Sequence, residues 1–285
     1  MNIKKHIPNA ITCGNLFCGC LAIVSAFNGN LIASAYLVGI AAVLDFFDGF
    51  AARILKVSGE LGKQLDSLAD MVTFGVVPGV MMFQMIKTSL LFQLINNASG
   101  NGNFIPDTSA IAYDSIAISL LPFIAFFITV FSGLRLAKFN IDTRQTTSFI
   151  GVPTPANAIL IGSFPLILNM KGFANSFNNN FVGLEYEQYG FGGNIDFNSI
   201  PFQVILNPYF LVGLTILMSY LLVAELPLFA LKFKKFSWAD NKLRFSFLII
   251  SVLLLALFQF IAIPFIIFLY IVLSVINNMY TKNKI

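Results

Sequence analysis

Four aspartates stand close together in the chain, in two pairs. Asp45 and Asp48 are three residues apart, and Asp66 and Asp70 are four residues apart. Either spacing places both carboxylates of a pair on one face of a helix, with about 5–6 Å between Cβ atoms. Two adjacent helices could therefore direct four carboxylates towards one point. Left bare in a medium of low dielectric constant, such a cluster would repel itself strongly.

Divalent cations are the simplest way to neutralise these carboxylates, because the neighbouring Arg53, Lys56 and Lys63 are too few to do so. Ligands that are all oxygen favour Mg²⁺, Mn²⁺ or Ca²⁺ over zinc or copper. With a single histidine in the chain, a histidine-rich metal site is not available. The other interpretation, in which the aspartates cap helices or pair with Lys and Arg, does not explain four of them at these spacings.

The composition indicates that the helices carrying these residues lie in a membrane. Of 285 residues, 57% are apolar and only 11% are charged, against about 45–50% and about 25% in soluble domains. The same figures exclude a disordered chain. We therefore expect one integral membrane domain over residues 1–285.

Long apolar runs predict an all-α polytopic membrane protein, a bundle of about eight (six to eight) transmembrane helices. A tight hairpin is expected near Gln259 and Pro264, which interrupt the last long apolar stretch. Two external loops are expected at about 88–115 and 172–207. The predicted helices cover residues 10–27, 31–48, 71–86, 116–136, 156–170, 209–229, 245–260 and 262–276.

The cations support this arrangement and predict its orientation. If all eight helices cross the membrane, every Lys and Arg except Lys87 and Lys171 falls on one side. The positive-inside rule then places both termini and the aspartates at the cytoplasmic face of the cell membrane. This bias also accounts for the net charge of +4 without a nucleic-acid partner.

The aspartates belong to a longer pattern. From Asp45 to Asp70 the chain reads D-x2-D-G-x2-A-R-x8-G-x3-D-x3-D, which resembles, without a departure, the signature of the CDP-alcohol phosphotransferase family. Residues 7–12, 133–140 and 151–156 resemble its phosphatidylserine synthase branch. Lys138 stands where that branch is expected to have Arg, so the charge is kept and the bidentate guanidinium is lost.

The resemblance implies that the phosphatidyl group of CDP-diacylglycerol is transferred to L-serine, giving phosphatidylserine and CMP. It implies two Mg²⁺ or Mn²⁺ ions, a homodimer in a lipid membrane, and roles for particular residues. Asp45, Asp48 and Asp66 would be metal ligands, and Asp70 the general base as well as a ligand. The candidate residues for binding CDP-diacylglycerol are Asn9, Thr12, Gly49, Ala52, Arg53 and Gly62. Those for binding serine are Arg135, whose guanidinium can grip a carboxylate in two places, Lys138 and Asn140.

Two alternatives remain open from the residues alone. The same chemistry could use another acceptor alcohol, namely glycerol 3-phosphate, inositol phosphate or choline. A phosphorylated acceptor calls for more cations than the Arg135 region supplies. A membrane transporter with ion-binding carboxylates is the other alternative, but it predicts carboxylates near the middle of the bilayer and an internal repeat, neither of which is evident.

Overall fold

A computed structural model describes the chain over residues 6–57, 59–98, 120–142, 148–170, 200–229, 238 and 241–282. Helices dominate these residues, as the sequence predicts, and two short strands are the only sheet within them. Stacked apolar side chains form the core, and residues such as Leu31, Phe74, Met81 and Leu160 are fully buried.

The first two helices form an antiparallel hairpin. Helices α1 (His6–Phe27) and α2 (Leu31–Ile54) pack along each other more extensively than any other pair. Gly29 adopts a φ of 80° in the turn between them, which favours a residue without a Cβ. Asn30 then caps α2, because its side chain accepts a hydrogen bond from the Ala33 amide. The hairpin holds the start of α1 beside the end of α2.

A central helical rod follows, made of α3 (Glu60–Asp70), a π-helical segment (Met71–Val76) and α4 (Val77–Ala98). This rod is the most buried of the candidate membrane spans, because 67% of its most apolar stretch lies inside the protein. Its π-helical segment is braced from a neighbour, since the Thr129 hydroxyl donates to the Gly75 carbonyl at 3.1 Å. Several of the other described helices pack around this rod.

Four more helices follow. They are α5 (Phe126–Ile141), α6 (Thr154–Leu168), the short α7 (Ile200–Ile205) and α8 (Pro208–Val223). Three of them pack on the rod, and α7 packs on α6 and α8. A 3-10 turn, Leu121–Ala125, leads into α5. At roughly 22–24 Å, α6 and α8 are shorter than the hydrocarbon core of a bilayer. Although α6 is short, its side chains from Asn157 onwards are almost all inside the bundle.

A two-stranded antiparallel sheet joins the bundle to the C-terminal helices. Strand β1 (Ser148–Ile150) pairs with β2 (Pro227–Phe229). Helices α9 (Lys242–Phe258) and α10 (Ala262–Lys282) follow, with a 3-10 turn, Gln259–Ile261, between them. The rings of Phe229, Phe247 and Tyr270 contact one another, which requires α9 and α10 to fold back on each other. The predicted hairpin at Gln259 is therefore confirmed.

Among the residues that the structure describes, five helical stretches are long and apolar enough to cross a membrane, and α6 and α8 are shorter apolar helices. The all-α polytopic membrane fold predicted from the sequence is thus confirmed. The end of α5 lies beside the last turn of α3 and the start of α6, through Asn140–Ser67 and Arg135–Thr154 hydrogen bonds. We call the end of the bundle that contains these contacts, together with the start of α1 and the end of α2, the site end.

Several predicted boundaries are wrong. Helices α2, α5 and α10 end at Ile54, Ile141 and Lys282 instead of residues 48, 136 and 276. The third helix begins at Glu60 rather than at residue 71, since the polar turn before Asp70 is helical as well. It continues to Ala98, so residues 88–98 are not loop; Ser89 is accommodated because its hydroxyl donates to the Ile86 carbonyl at 2.8 Å. The run at 209–229 ends its helix at Val223, because Pro227–Phe229 pairs with β1 instead. Residues 99–115 and 172–199 of the predicted loops, and 116–119 of the predicted fourth helix, lie outside the described residues. Residues 200–205 of the second predicted loop are not loop, because they form α7.

Candidate active site

The four aspartates meet where α2 ends and α3 ends. The carboxylates of Asp45, Asp48 and Asp66 each offer an oxygen within 4.8 Å of the others. Asp45 also lies within hydrogen-bond reach of the Asp70 carboxylate. The structure therefore brings the four residues into one cluster, which we call the carboxylate cluster.

Helix geometry explains this convergence. The last three turns of α2 carry Asp45 and Asp48 on one face, and Asp66 and Asp70 share one face of α3. The π-helical segment begins directly after Asp70. Such segments change the direction of side chains along a helix and are frequent at functional sites. Here the segment separates the polar turns of α3 from the apolar turns of α4.

Asp48 is held in place by the first helix. The Thr12 hydroxyl donates to Asp48 Oδ2 at 2.6 Å, and its oxygen also lies 3.0 Å from the Pro8 carbonyl oxygen. Thr12 and Asp48 are both buried, with 4% and 6% of their surfaces exposed. A hydroxyl donor stabilises a carboxylate without neutralising it, so Thr12 fixes the position of Asp48 and leaves its charge.

The cluster fits a divalent cation by its donor chemistry. Its atoms are carboxylate oxygens, the ligands preferred by Mg²⁺, Mn²⁺ and Ca²⁺. One of them, Asp70 Oδ1, is buried and has no hydrogen-bond partner among the described residues. Arg135 approaches Asp70 and is attracted to it, but one guanidinium cannot balance four carboxylates. Residues Asp45, Asp48 and Asp66 thus form a group that could bind a metal ion.

A cavity of about 520 Å³ opens on one side of the cluster, between the start of α1, the end of α2 and the start of α3. Asp48 and Asp66 contribute to its wall, as do five of the six residues predicted to bind CDP-diacylglycerol: Asn9, Thr12, Gly49, Ala52 and Gly62. The sixth, Arg53, is exposed outside that wall, and its Nε donates to the Gly49 carbonyl at 2.9 Å.

The two glycines of the wall differ in how much room they have. A Cβ built on Gly62 would lie 3.1 Å from the Asn9 side-chain oxygen, which is tighter than ordinary contact. A Cβ on Gly49 would meet only the Arg53 guanidinium, at 4.0 Å. A side chain at position 62 would therefore require the Asn9 side chain to move by a few tenths of an ångström, whereas position 49 has room for one.

The three residues predicted to bind serine are in three different environments. Arg135 is 7% exposed, its Nη1 donates to the Thr154 hydroxyl at 3.3 Å, and its guanidinium lies over the Phe139 ring. Asn140 Nδ2 donates to the Ser67 hydroxyl at 2.9 Å and so ties α5 to α3. Lys138 is exposed. Of the three, Arg135 is the residue that approaches the carboxylate cluster, at Asp70.

Sequence reasoning missed several residues around the cluster. His6, Glu60 and Lys63 line the cavity, and Lys63 was considered only as a neighbouring cation. Thr154, the hydrogen-bond partner of Arg135, lies in the 151–156 stretch that carried part of the resemblance. The sequence indicates these residues only because they stand near the recognised motifs along the chain.

Comparison with known proteins agrees with this geometry. Residues 5–186, more than half of the chain, match the family described as CDP-alcohol phosphatidyltransferase. A Bacillus subtilis protein named CDP-diacylglycerol–serine O-phosphatidyltransferase is 37% identical over 155 residues, which are 53% of this chain and 70% of that protein. A Helicobacter pylori protein of the same name is 31% identical over 58% of this chain and 60% of its own length.

An archaeal relative extends the comparison. The protein named archaetidylserine synthase in Methanothermobacter thermautotrophicus is 30% identical over 175 residues, 58% of this chain and 62% of that protein. The chain thus spans about 60–70% of the length of these relatives. The matched region contains α1 to α6, and with them the carboxylate cluster, the cavity and Arg135. The chain belongs to the CDP-alcohol phosphatidyltransferase family.

Proposed function

We propose that this protein is a divalent-metal-dependent CDP-diacylglycerol–serine O-phosphatidyltransferase. The observation that carries the proposal is the position of the carboxylate cluster, between a cavity large enough for a nucleotide and a buried arginine. The relatives named for serine transfer support the choice of acceptor. We propose one catalytic domain over residues 1–285, which assembles as a homodimer as the family resemblance implies.

The reaction joins the two substrates at the cluster. The serine hydroxyl oxygen attacks the phosphorus that bears diacylglycerol, the bond from that phosphorus to the bridging oxygen breaks, and CMP leaves with the bond's electron pair. Asp70 takes the proton of the serine hydroxyl, as a positioned general base. The cavity residues Asn9, Thr12 and Gly62 hold the nucleotide part of the lipid substrate.

Metal binding is proposed at Asp45, Asp48, Asp66 and Asp70, with two Mg²⁺ or Mn²⁺ ions. When bound, such ions supply positive charge that cancels the anionic diphosphate and stabilises the leaving phosphate. Thr12 keeps Asp48 in position for this task. On the side of the carboxylate cluster away from the cavity, the Arg135 guanidinium would pair with the serine carboxylate.

The acceptor is tested by CMP release. Purified protein with CDP-diacylglycerol and Mg²⁺ is offered serine, glycerol 3-phosphate, inositol phosphate or choline in separate reactions. Release of CMP with serine, matched by phosphatidylserine formation, is expected. CMP release with another acceptor and none with serine would reassign the substrate within the same family.

The orientation is proposed from the positive-inside rule, with the site end at the cytoplasmic face of the cell membrane. Asn28 is exposed in the turn between α1 and α2, and Lys56 is exposed at the site end. In a variant with the three native cysteines replaced, an impermeant thiol reagent added to intact cells should label Asn28→Cys and not Lys56→Cys. The reverse labelling would overturn the orientation.

A further inference from the structure

A buried polar group lies on α6 one helical turn after Thr154, the hydrogen-bond partner of Arg135. Asn157 is fully buried, and neither its amide nitrogen Nδ2 nor its oxygen Oδ1 has a hydrogen-bond partner among the described residues. An amide left unsatisfied in an apolar interior costs about 1–3 kcal/mol. Because Asn157 is fully buried, bulk water does not satisfy these groups, whereas a bound ligand could.

Asn157 lies on the same face of α6 as Thr154, the hydrogen-bond partner of Arg135. Thr154 accepts the hydrogen bond from Arg135 Nη1, and Asn157 lies three residues later, on the adjacent turn of α6. The Nε of Arg135 is also buried without a partner in the described part of the chain. Arg135 on α5 and Asn157 on α6 therefore both keep hydrogen-bonding capacity unused, the first beside Thr154 and the second one helical turn after it.

The start of α6 adds to this arrangement. Pro153 precedes the helix and Thr154–Leu168 forms it, so the positive end of the helix dipole lies beside Arg135. Helix end and guanidinium together favour a carboxylate. Arg135 supplies a single positive charge here, which suits a carboxylate with one negative charge better than a phosphate dianion.

We propose that Asn157, together with Arg135, binds the acceptor alcohol in a pocket between α5 and α6, and that this pocket selects a small zwitterionic amino acid. Arg135 pairs with the carboxylate, and the Asn157 amide hydrogen-bonds the remaining polar groups. The acceptor hydroxyl is then presented to Asp70 from the side opposite the nucleotide cavity. The inference rests on the proposed function and extends it to a residue outside the family signature.

The test separates acceptor binding from a structural role. Asn157→Leu keeps the branched shape and removes the amide, so it should fold at least as stably as wild type. Its KM for serine should rise roughly tenfold or more, and its KM for CDP-diacylglycerol should stay within about twofold. Ser34→Ala is the matched control, because Ser34 is a fully buried, unpartnered polar residue near the other end of α2.

Each outcome decides the assignment. A folded Asn157→Leu protein with an unchanged KM for serine, or with equal rises in both KM values, would overturn it. If the leucine variant fails to fold, Asn157→Ala takes its place under the same criteria.

On the wild type, L-alanine, which lacks only the hydroxyl, should compete with serine and not with CDP-diacylglycerol. Absence of that competition would refute the zwitterion pocket.

The wild type run in parallel distinguishes the two proposals. If it releases no CMP with serine, the proposed function and the role of Asn157 both fall. If it releases CMP with serine and the Asn157 variants behave like wild type, only the role of Asn157 falls.

Discussion

The carboxylate cluster has two sides that differ in openness and in charge. The cavity side, between α1, α2 and α3, is open and about 520 Å³ in volume, and it is rimmed by the exposed residues Glu60 and Lys63. The other side, between α5 and α6, is closed around Arg135 and Asn157, both buried. A large anionic lipid nucleotide needs an open groove, whereas a small polar acceptor is selected by a closed, charged one.

The largest effect is expected where the two sides meet. Asp48→Asn removes a ligand charge and keeps the size of the side chain and its contact with Thr12, so the protein should fold and show no detectable turnover. CMP release and thermal stability are the measurements. Glu225→Gln, an exposed carboxylate between α8 and β2, is the control and should retain activity. Normal turnover by folded Asp48→Asn would remove the cluster from the mechanism.

Asp70→Asn should separate chemistry from binding. The amide keeps the size and one oxygen but cannot accept the serine proton, so turnover should fall roughly 10²–10⁴-fold. Binding of CDP-diacylglycerol with metal should stay near the wild-type affinity if Asp70 acts chiefly as the base. Normal turnover at saturating serine would eliminate that role, and a parallel loss of binding would make Asp70 chiefly a ligand.

Arg135→Lys probes the closed side alone. Lysine keeps the charge but loses the planar fork and the contact with Thr154. We expect the KM for serine to rise roughly 10–100-fold and the KM for CDP-diacylglycerol to change little. Steady-state kinetics with each substrate varied in turn provide the measurement, and Lys242→Arg at the start of α9 controls for a change of cation type. If only the KM for CDP-diacylglycerol rises, the closed side binds CDP-diacylglycerol and the roles of the two sides are exchanged.

Gly62→Ala should give the smallest effect, confined to the open side. The added methyl group meets the Asn9 oxygen at 3.1 Å, so the cavity wall must shift. A cost of about 1 kcal/mol would raise the KM for CDP-diacylglycerol roughly fivefold. Gly39→Ala is the control, since its Cβ would meet nothing within 4 Å. Equal behaviour of the two variants would show that the space at position 62 is unimportant.

The sequence predicted the parts of the site that local spacing determines. Asp45 and Asp48, and Asp66 and Asp70, share helix faces whatever the rest of the fold does, and their pairing needs only two adjacent helices. The apolar runs likewise predicted the membrane helices. Arg135 was assigned because a guanidinium can bind a carboxylate through two hydrogen bonds, and in the structure its charge acts on Asp70.

What was missed depends on contacts between distant residues or on short polar segments. The polar first turns of α3 carry no apolar run, so the helix appeared to begin at residue 71. Strand β2 forms because residues far away in the chain pair with it, and a helical apolar run gives no sign of that pairing. Asn157 is one amide within an apolar helix, and only its burial without a partner makes it notable.

Direct binding of Mn²⁺ tests the central claim that the carboxylate cluster is a metal site between the two substrate sides. Electron paramagnetic resonance measures free Mn²⁺ in titrations of the purified wild type, of Asp45→Asn and of Asp66→Asn, without reference to activity. The account predicts saturable binding by the wild type that is lost or weakened at least roughly tenfold in both variants. Equal Mn²⁺ binding by all three proteins, or full turnover of the wild type in excess chelator, would contradict it.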